Sequence, residues 1–287
     1  MTPLRLLYRG SLKSCNYGCA YCPFAKERET RQEQARDRGE VERFVAWIAQ
    51  ATHRRWGVLF TPWGEALVRP WYQRALARLS RLPHVERVAI QTNLSGPLEW
   101  TADADRDALA LWATYHPGEV ARERFLARCR ELDRRGVRYS VGVVGLGEHL
   151  PEIEALRAAL PPRVYLWVNA FKRDPARAAP ATALEAIDPW YGLSAVAHPS
   201  RGEACRTGAT VLSVDGAGDL RRCHFVGDRL ANLYEPGWEA ALGPRPCPAA
   251  ECRCFIGYAH LERLDLEAAF GEGILERIPR PDRWPPR

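Results

Sequence analysis

Short apolar runs alternate with amphipathic stretches over the first 172 residues of the chain. The runs are rich in Val, Leu, Ile, Trp and Tyr without regular polar alternation, which is typical of parallel strands covered on both faces. They predict strands at Leu4–Arg9, Trp56–Thr61, Arg87–Thr92, Ala108–Tyr115, Val137–Gly145 and Val164–Phe171. Apolar stripes at helical spacing, which begin at Val41, Tyr72, Ala121 and Leu150, predict helices between them.

The succession of six βα units predicts an α/β fold, with a parallel sheet that either curves into a partial (β/α)6 barrel or lies open. Functional residues of such folds gather at the carboxyl ends of the strands. Residues 1–172 are assigned to this barrel and residues 173–200, rich in Ala and Pro, to a connector with at most one short helix. Residues 201–258 hold five cysteines, and residues 259–287 predict a helix, Leu261–Phe270, followed by a poorly ordered tail.

Composition narrows the class of protein. A chain of 287 residues that is 46% hydrophobic can build a full-sized core, which argues against disorder and against a disulfide-stapled mini-protein. The net charge is +6, but the arginines are interleaved with acidic residues as on a solvated helix face, which argues against nucleic acid as a partner. No apolar run approaches a membrane span and the first residues do not resemble a signal peptide, so we expect a cytoplasmic protein.

Nine cysteines in a reducing compartment indicate metal ligands rather than disulfides. Cys129 stands alone and shares an apolar helical stripe with Phe125 and Leu132, so it is interpreted as a buried structural residue. The first group is C-x3-C-x2-C, formed by three cysteines that follow strand one: Cys15, Cys19 and Cys22. No other cysteine or histidine is nearby in sequence, and three thiolates on a four-iron cube leave one iron open, as catalytic sites require. A zinc site or a non-catalytic cluster is the alternative.

The motif, with the aromatic Tyr21 just before its last cysteine, resembles the signature of the radical S-adenosylmethionine (SAM) superfamily. The resemblance implies that Cys15, Cys19 and Cys22 hold a [4Fe-4S] cluster whose open iron binds SAM. It implies that one electron cleaves SAM to a 5′-deoxyadenosyl radical, which abstracts hydrogen from a substrate. It further implies a low-potential electron donor of the flavodoxin or ferredoxin type.

The family's Gly-Gly-Glu element, which meets the amino group of SAM, corresponds to Gly64 and Glu65, with Trp63 in place of the first glycine. The same resemblance implies SAM contacts for Tyr21, for Asn93 at the end of strand three and for Ser140 in strand five. For these strand-end residues, a polar group that caps a turn is the alternative.

The second group of cysteines comprises Cys205, Cys223, Cys247, Cys252 and Cys254. Its opening, C-x12-G-x4-C, resembles the SPASM/twitch domains of radical SAM enzymes, and the segment between the first two cysteines predicts a hairpin that turns at 215–218. Because a cube needs four thiolates and two cubes need eight, we expect one auxiliary [4Fe-4S] cluster on Cys205, Cys223 and two of the other three. Structural zinc is the competing interpretation.

The predicted protein is therefore a partial (β/α)6 barrel of parallel strands with a small C-terminal Cys-rich iron–sulfur module. The resemblance implies a radical SAM enzyme whose substrate is a peptide, a protein side chain or a small molecule. Two alternatives stay open at this stage: a non-enzymatic zinc-binding protein, and a radical SAM enzyme that acts on RNA.

Overall fold

A computed structural model of the chain describes residues 3–24 and 27–284. The strands are β1 (Leu4–Arg9), β2 (Trp56–Phe60), β3 (Val85–Thr92), β4 (Leu109–Thr114), β5 (Arg138–Gly145), β6 (Leu166–Ala170), β7 (His198–Pro199), β8 (Val211–Asp215), β9 (Asp219–Arg221), β10 (Arg229–Asn232) and β11 (Glu251–Cys252). The helices are α1 (Arg31–Gln50), α2 (Pro70–Ser80), α3 (Arg122–Arg135), α4 (Leu150–Ala159), α5 (Ala181–Glu185), α6 (Tyr191–Ala195), α7 (Phe255–Tyr258) and α8 (Leu266–Phe270).

One mostly parallel nine-stranded sheet forms the frame, in the order β10-β9-β8-β1-β2-β3-β4-β5-β6. Strands β1 to β6 are parallel neighbours in chain order, and all six lie within two residues of their predicted ends. The sheet is consistent with a partial barrel, since no pairing links β6 to β10 within the described residues. The predicted α/β class is confirmed.

Side chains along each parallel strand alternate between two apolar clusters. On one face, Leu6 and Val58 belong to a cluster that includes the buried stripe of α1, namely Val41, Phe44, Val45 and Ile48. On the other face, Leu7 and Leu59 pack with residues of the C-terminal segment, such as Phe255 and Ile274. Coverage of both faces is the reason why the strands lack polar alternation.

The crossovers place helices α1 to α4 where the four apolar stripes predict them. Helix α1 begins at Thr30 with a capping box, in which the hydroxyl of Thr30 accepts from the backbone of Glu33 and the Glu33 carboxylate accepts from the backbone of Thr30. Between β3 and β4 the chain forms only a short 3-10 helix, Glu99–Asp103. The parallel sheet tolerates this because the loop still crosses on the helical face, where Leu98 and Trp100 are buried.

The connector is more ordered than the sequence indicates, because it contains both α5 and α6 rather than one short helix. Buried Asp188 lies between these helices and accepts hydrogen bonds from the Tyr165 hydroxyl and the Val168 and Trp190 amides, at 2.7, 2.8 and 2.9 Å. The connector is thereby anchored to β6.

The predicted hairpin forms between β8 and β9, where the Asp215 carboxylate accepts from the amides of Ala217 and Asp219. Strand β8 also pairs in parallel with β1, so the hairpin extends the main sheet. This pairing covers an edge of β1 that would otherwise expose unpaired backbone groups.

The C-terminal segment differs from its prediction. Leu261–Phe270 is divided into a 3-10 helix, Glu262–Leu264, and the short α8. The tail, described as far as Trp284, is packed rather than poorly ordered: the Trp284 indole is buried beside Tyr165 and donates to the carbonyl of Pro162 at 2.9 Å. None of the helices in the described ranges has the length and apolar character needed to cross a membrane.

Candidate active site

The loop between β1 and α1 carries Cys15, Cys19 and Cys22 at the carboxyl end of β1. All three line a cavity of about 230 Å³, together with Glu65 and Asn93. We call this the inner cavity. Residues that the sequence separates by up to 78 positions are brought together here because parallel strands end at the same edge of the sheet.

Gly64 determines how closely the loop after β2 approaches the cysteine loop. The amide of Glu65 donates to the carbonyl of Ser14 at 3.2 Å, and a Cβ atom on Gly64 would lie only 1.9 Å from that oxygen. Gly64 also has φ +139°, a conformation that residues with a side chain rarely adopt. A glycine is therefore required directly beside Cys15.

Glu65 is a buried carboxylate with three hydrogen-bond donors. Its oxygens accept from the Leu67 amide at 2.9 Å, from the Thr92 hydroxyl at 2.8 Å and from the Asn93 amide. Burial raises its pKa to about 7, against the three donors, which lower it. Two carboxylate oxygens offer about four acceptor positions, so one position is left for a ligand in the inner cavity.

Asn93 forms the wall next to the first cysteine. Its side-chain amide donates to the Asn16 side chain at 3.0 Å and lies 3.8 Å from the sulfur of Cys15. Its carbonyl oxygen accepts from the amide of Ser95 at 3.0 Å, which holds the side chain in this orientation.

Backbone amides and burial act in opposite directions on the sulfur atoms of the cysteine loop. Backbone amides of Tyr17 and Phe24 point at the sulfurs of Cys15 and Cys22, each at 3.4 Å. Burial nevertheless raises the pKa of Cys15, and burial together with Glu119 raises that of Cys19 to about 11. Thiolates at these positions therefore need a nearby positive charge, which a bound metal centre supplies.

No three His, Cys, Asp or Glu side chains within the described ranges converge closely enough to hold one metal ion. A mononuclear zinc site requires such convergence, because every sulfur lies about 2.3 Å from the same ion. In a four-iron cube each thiolate contacts a different iron, which allows wider spacing.

His116 links the cysteine loop to the end of β4. Its Nδ1 atom lies 2.8 Å from the Tyr21 hydroxyl and 3.5 Å from the sulfur of Cys19. Burial lowers the pKa of His116 to about 4, so the ring is neutral and Nδ1 accepts from the Tyr21 hydroxyl. The pair positions Tyr21 on the wall of a second cavity.

This second cavity, which we call the outer cavity, measures about 380 Å³ and shares Cys22, His116 and Asn169 with the inner one. Trp112 on β4 lines both cavities, and Trp167 on β6 lines the inner one. The sequence analysis missed these two tryptophans. Both are large aromatic residues within predicted strands, and both side chains belong to the apolar cluster on the face opposite the helices.

The comparisons with known proteins bear on the fold. No protein-family model and no curated protein matches the chain. Native anSMEcpe with bound AdoMet aligns with a TM-score of 0.56 and 14% identity, over 83% of this chain and 80% of that one. The same protein with bound AdoMet and Cp18Cys peptide gives 0.53 and 14%, over 80% and 77%. SuiB of Streptococcus suis gives 0.56 and 13%, over 84% and 66%.

These solved proteins are radical SAM enzymes. The chain shares its fold with them. At sequence identities of 13–14%, the comparison shows a shared fold and nothing more.

Within this fold, the structure does not bring Ser140 to the cysteine loop. Its hydroxyl donates to the carbonyl of Glu276 at 2.8 Å and accepts from the Trp167 indole at 3.2 Å, and Ser140 lines neither cavity. The side chain is fully buried under the C-terminal segment. Ser140 therefore belongs to the packing of the sheet's inner face, because the tail occupies the space that a ligand would need.

The second cysteine group lies beyond the β8–β9 hairpin. No disulfide joins any of the nine cysteines, all of which are in the described ranges. Burial raises the pKa of Cys223, and the thiols of Cys205 and Cys247 raise it further. Burial likewise raises the pKa of Cys252 to about 12, with contributions from Cys223, Cys254 and Cys205. All five thiols of this group therefore lie close enough to influence one another electrostatically.

Cys254 acts on Cys252, but it differs from the other four cysteines in lining the outer cavity. Although burial raises its pKa, the cations Arg277, Arg9 and Lys172 act to lower it. Of the last three cysteines, Cys254 is thus the one that faces the candidate active site.

Arg222 is a buried cation beside the four-thiol group. Its guanidinium donates to the carbonyls of Pro246 and Arg245, at 2.6 and 3.0 Å, and no carboxylate within the described part of the chain pairs with it. Arg222 acts to lower the pKa of Cys223. A buried, uncompensated cation favours anionic thiolates at this place.

Proposed function

We propose that this chain is a radical SAM enzyme, with a [4Fe-4S] cluster held by Cys15, Cys19 and Cys22 and with SAM bound at the open iron. The observation that carries the proposal is the inner cavity, in which the three thiols of a C-x3-C-x2-C motif share one space with Glu65 and Asn93. When bound, the reduced cluster supplies the electron that cleaves SAM.

The chain's own residues prepare the site for this ligand. Gly64 lets the loop after β2 lie against the cysteine loop, and Glu65 keeps one acceptor position for the ammonium group of SAM. A bound cation lowers the pKa of a neighbouring carboxyl group, so SAM binding favours the ionised form of Glu65. The Tyr21–His116 pair holds the last turn of the cysteine loop against β4.

We also propose an auxiliary [4Fe-4S] cluster on Cys205, Cys223, Cys247 and Cys252, in a SPASM/twitch-like domain, with Cys254 as the spare cysteine. The mutual electrostatic influence of these thiols and the buried cation Arg222 support the cluster. The position of Cys254 on the outer cavity supports its choice as the spare cysteine. Structural zinc on the same four residues is the competing function.

The electron donor and the substrate complete the proposal. A cytoplasmic flavodoxin- or ferredoxin-type protein is the proposed donor. The proposed substrate is a peptide, a protein side chain or a small molecule that enters through the outer cavity. One structure of similar fold contains a peptide together with AdoMet, which supports the peptide class.

The test begins with anaerobic purification and reconstitution, followed by assays of iron, sulfide and zinc. We expect about eight irons per chain, and 5′-deoxyadenosine after SAM and dithionite are added. Cys19→Ala should abolish SAM cleavage, because two thiolates do not hold the cube. The matched control is Cys129→Ala, which removes a buried thiol on α3 and should retain cleavage. Zinc without nucleoside product, or turnover by Cys19→Ala, would overturn the proposal.

A further inference from the structure

The lining of the outer cavity has an uneven charge. It contains Lys172, Arg173 and Arg253, and it contains no aspartate or glutamate. Arg253 forms an exposed ion pair with Glu251 at 2.7 Å, so its charge is largely compensated. Arg173 is exposed and has no ion-pair partner in the described part of the chain. The excess positive charge therefore comes from Lys172 and Arg173.

Lys172 is the half-buried member of this set. Its ammonium donates to the carbonyl oxygens of Val196 and Arg253, at 3.0 and 2.8 Å. No carboxylate lies within ion-pair distance of it among residues 3–24 and 27–284, and burial lowers its pKa, against the Cys254 and Cys252 thiols, which raise it. An ammonium group has three N–H donors, so one is left for a ligand, with its orientation set by the two carbonyls.

A second cation lies beneath the cavity. The Arg277 guanidinium is almost fully buried over the rings of Phe255 and Trp167, with centroids at 4.2 and 4.5 Å. It donates to the Asn169 side chain at 3.2 Å, and Asn169 lines both cavities, while the Nε of Arg277 has no hydrogen-bond partner. Arg277 also acts to lower the pKa of buried Asp188, whose carboxylate already accepts three hydrogen bonds. The charge of Arg277 is thus partly offset by Asp188, and the excess positive charge at the cavity lining comes from Lys172 and Arg173.

The rest of the outer cavity is largely aromatic. Its walls include Phe24, Phe171, Phe255 and Tyr258 in addition to Trp112. Phe24 is 48% exposed and stacks on Trp63, with ring centroids 5.6 Å apart, at the rim of the cysteine loop. Exposed rings beside a cavity of this kind favour an apolar body in the ligand.

We propose that the outer cavity binds the organic substrate by an anionic group placed at Lys172, with an apolar or aromatic body against Phe24 and Trp112. This substrate class rests on the proposed radical SAM function. A carboxylate of SAM itself is the other possible source of the anion. The substrate is favoured because Lys172 lines only the outer cavity, whereas Gly64, Glu65 and Asn93 line only the inner one. Of the candidate SAM contacts, Tyr21 alone lines the outer cavity.

The test uses two fluorescent probes with the same ring system: anilinonaphthalene sulfonate, which is anionic, and phenylnaphthylamine, which lacks the sulfonate. Both are titrated into the anaerobically reconstituted protein, with and without saturating SAM. Lys172→Gln should weaken sulfonate binding about tenfold, the effect of losing one charge-assisted hydrogen bond, and leave the uncharged probe unaffected. Lys172→Arg should retain sulfonate binding. The control Arg134→Gln removes an exposed arginine of α3 that lines neither cavity, and should change nothing.

Three results would overturn the inference. An unchanged sulfonate affinity in Lys172→Gln would show that Lys172 does not hold the anion. An equal loss for both probes would show that the substitution only deforms the cavity. Displacement of the sulfonate by SAM would assign Lys172 to the SAM carboxylate. Formation of 5′-deoxyadenosine by the wild-type protein tests the proposed function separately, so the two failures are distinguishable.

Discussion

Substitution of Gly64 by alanine tests the contact that shapes the inner cavity. The added Cβ would lie 1.9 Å from the carbonyl oxygen of Ser14 and 2.6 Å from its carbonyl carbon. Both atoms belong to the backbone, so no side-chain rotation relieves the overlap. Ordinary contact distances near 3.5 Å require the two loops to separate by about 1.5 Å. Ser14 directly precedes Cys15, and the separation therefore moves a proposed cluster ligand.

Two effects follow from this displacement. The left-handed backbone at φ +139° costs a residue with a side chain about 1–3 kcal/mol, which lowers the free energy of unfolding of Gly64→Ala. Misplacement of a reacting group by about 1 Å costs on the order of 100-fold in rate, so SAM cleavage should fall by at least that factor. Iron content after reconstitution should fall as well, because Cys15 is displaced relative to Cys19 and Cys22.

The assay compares Gly64→Ala with Gly39→Ala. Gly39 lies on the exposed side of α1, where an added Cβ would meet nothing within 4 Å. Alanine there should raise the free energy of unfolding by about 0.5–1 kcal/mol, because glycine is unfavourable in a helix interior. Urea unfolding, iron content and 5′-deoxyadenosine formation are measured for both. A Gly64→Ala protein with wild-type stability and iron content would refute the role assigned to this close approach.

Three further predictions address other parts of the molecule. The pKa of Glu65 is about 7 in the folded protein against an ordinary 4.5, so the folded protein loses about 3 kcal/mol of stability as pH rises through that range. Urea unfolding of the metal-free protein at several pH values should show this loss, and Glu65→Gln should remove it. The same pH dependence in the wild-type protein and in Glu65→Gln would contradict the shift. Trp284→Ala should lower the free energy of unfolding by about 3–5 kcal/mol, and an unchanged urea curve would mean that the tail does not pack. Cys254→Ser should keep the full iron content, whereas Cys252→Ser should lose about four irons. Equal losses of iron in the two variants would contradict the assignment of Cys254 as the spare cysteine.

Local patterns were sufficient for much of the fold. Apolar runs located β1 to β6 within two residues, because strands covered on both faces carry a strong and continuous signal. The spacing of Cys15, Cys19 and Cys22 directly after β1 indicated a metal-binding loop at the carboxyl edge of the sheet. The turn at 215–218 also formed as its residue types predict, since its hydrogen bonds lie within the turn itself.

Contacts between distant segments were decided only by the tertiary structure. The parallel pairing of β8 with β1 joins residues about 200 positions apart, and a sequence pattern does not specify which edge a hairpin covers. The C-terminal segment fills the inner face of the sheet, which buries Ser140 and excludes it from both cavities. Lys172 and Cys254 likewise meet at the outer cavity only in the folded chain. The place of a side chain on a strand or helix depends on the few residues around it. The neighbours of that side chain depend on how the whole chain packs.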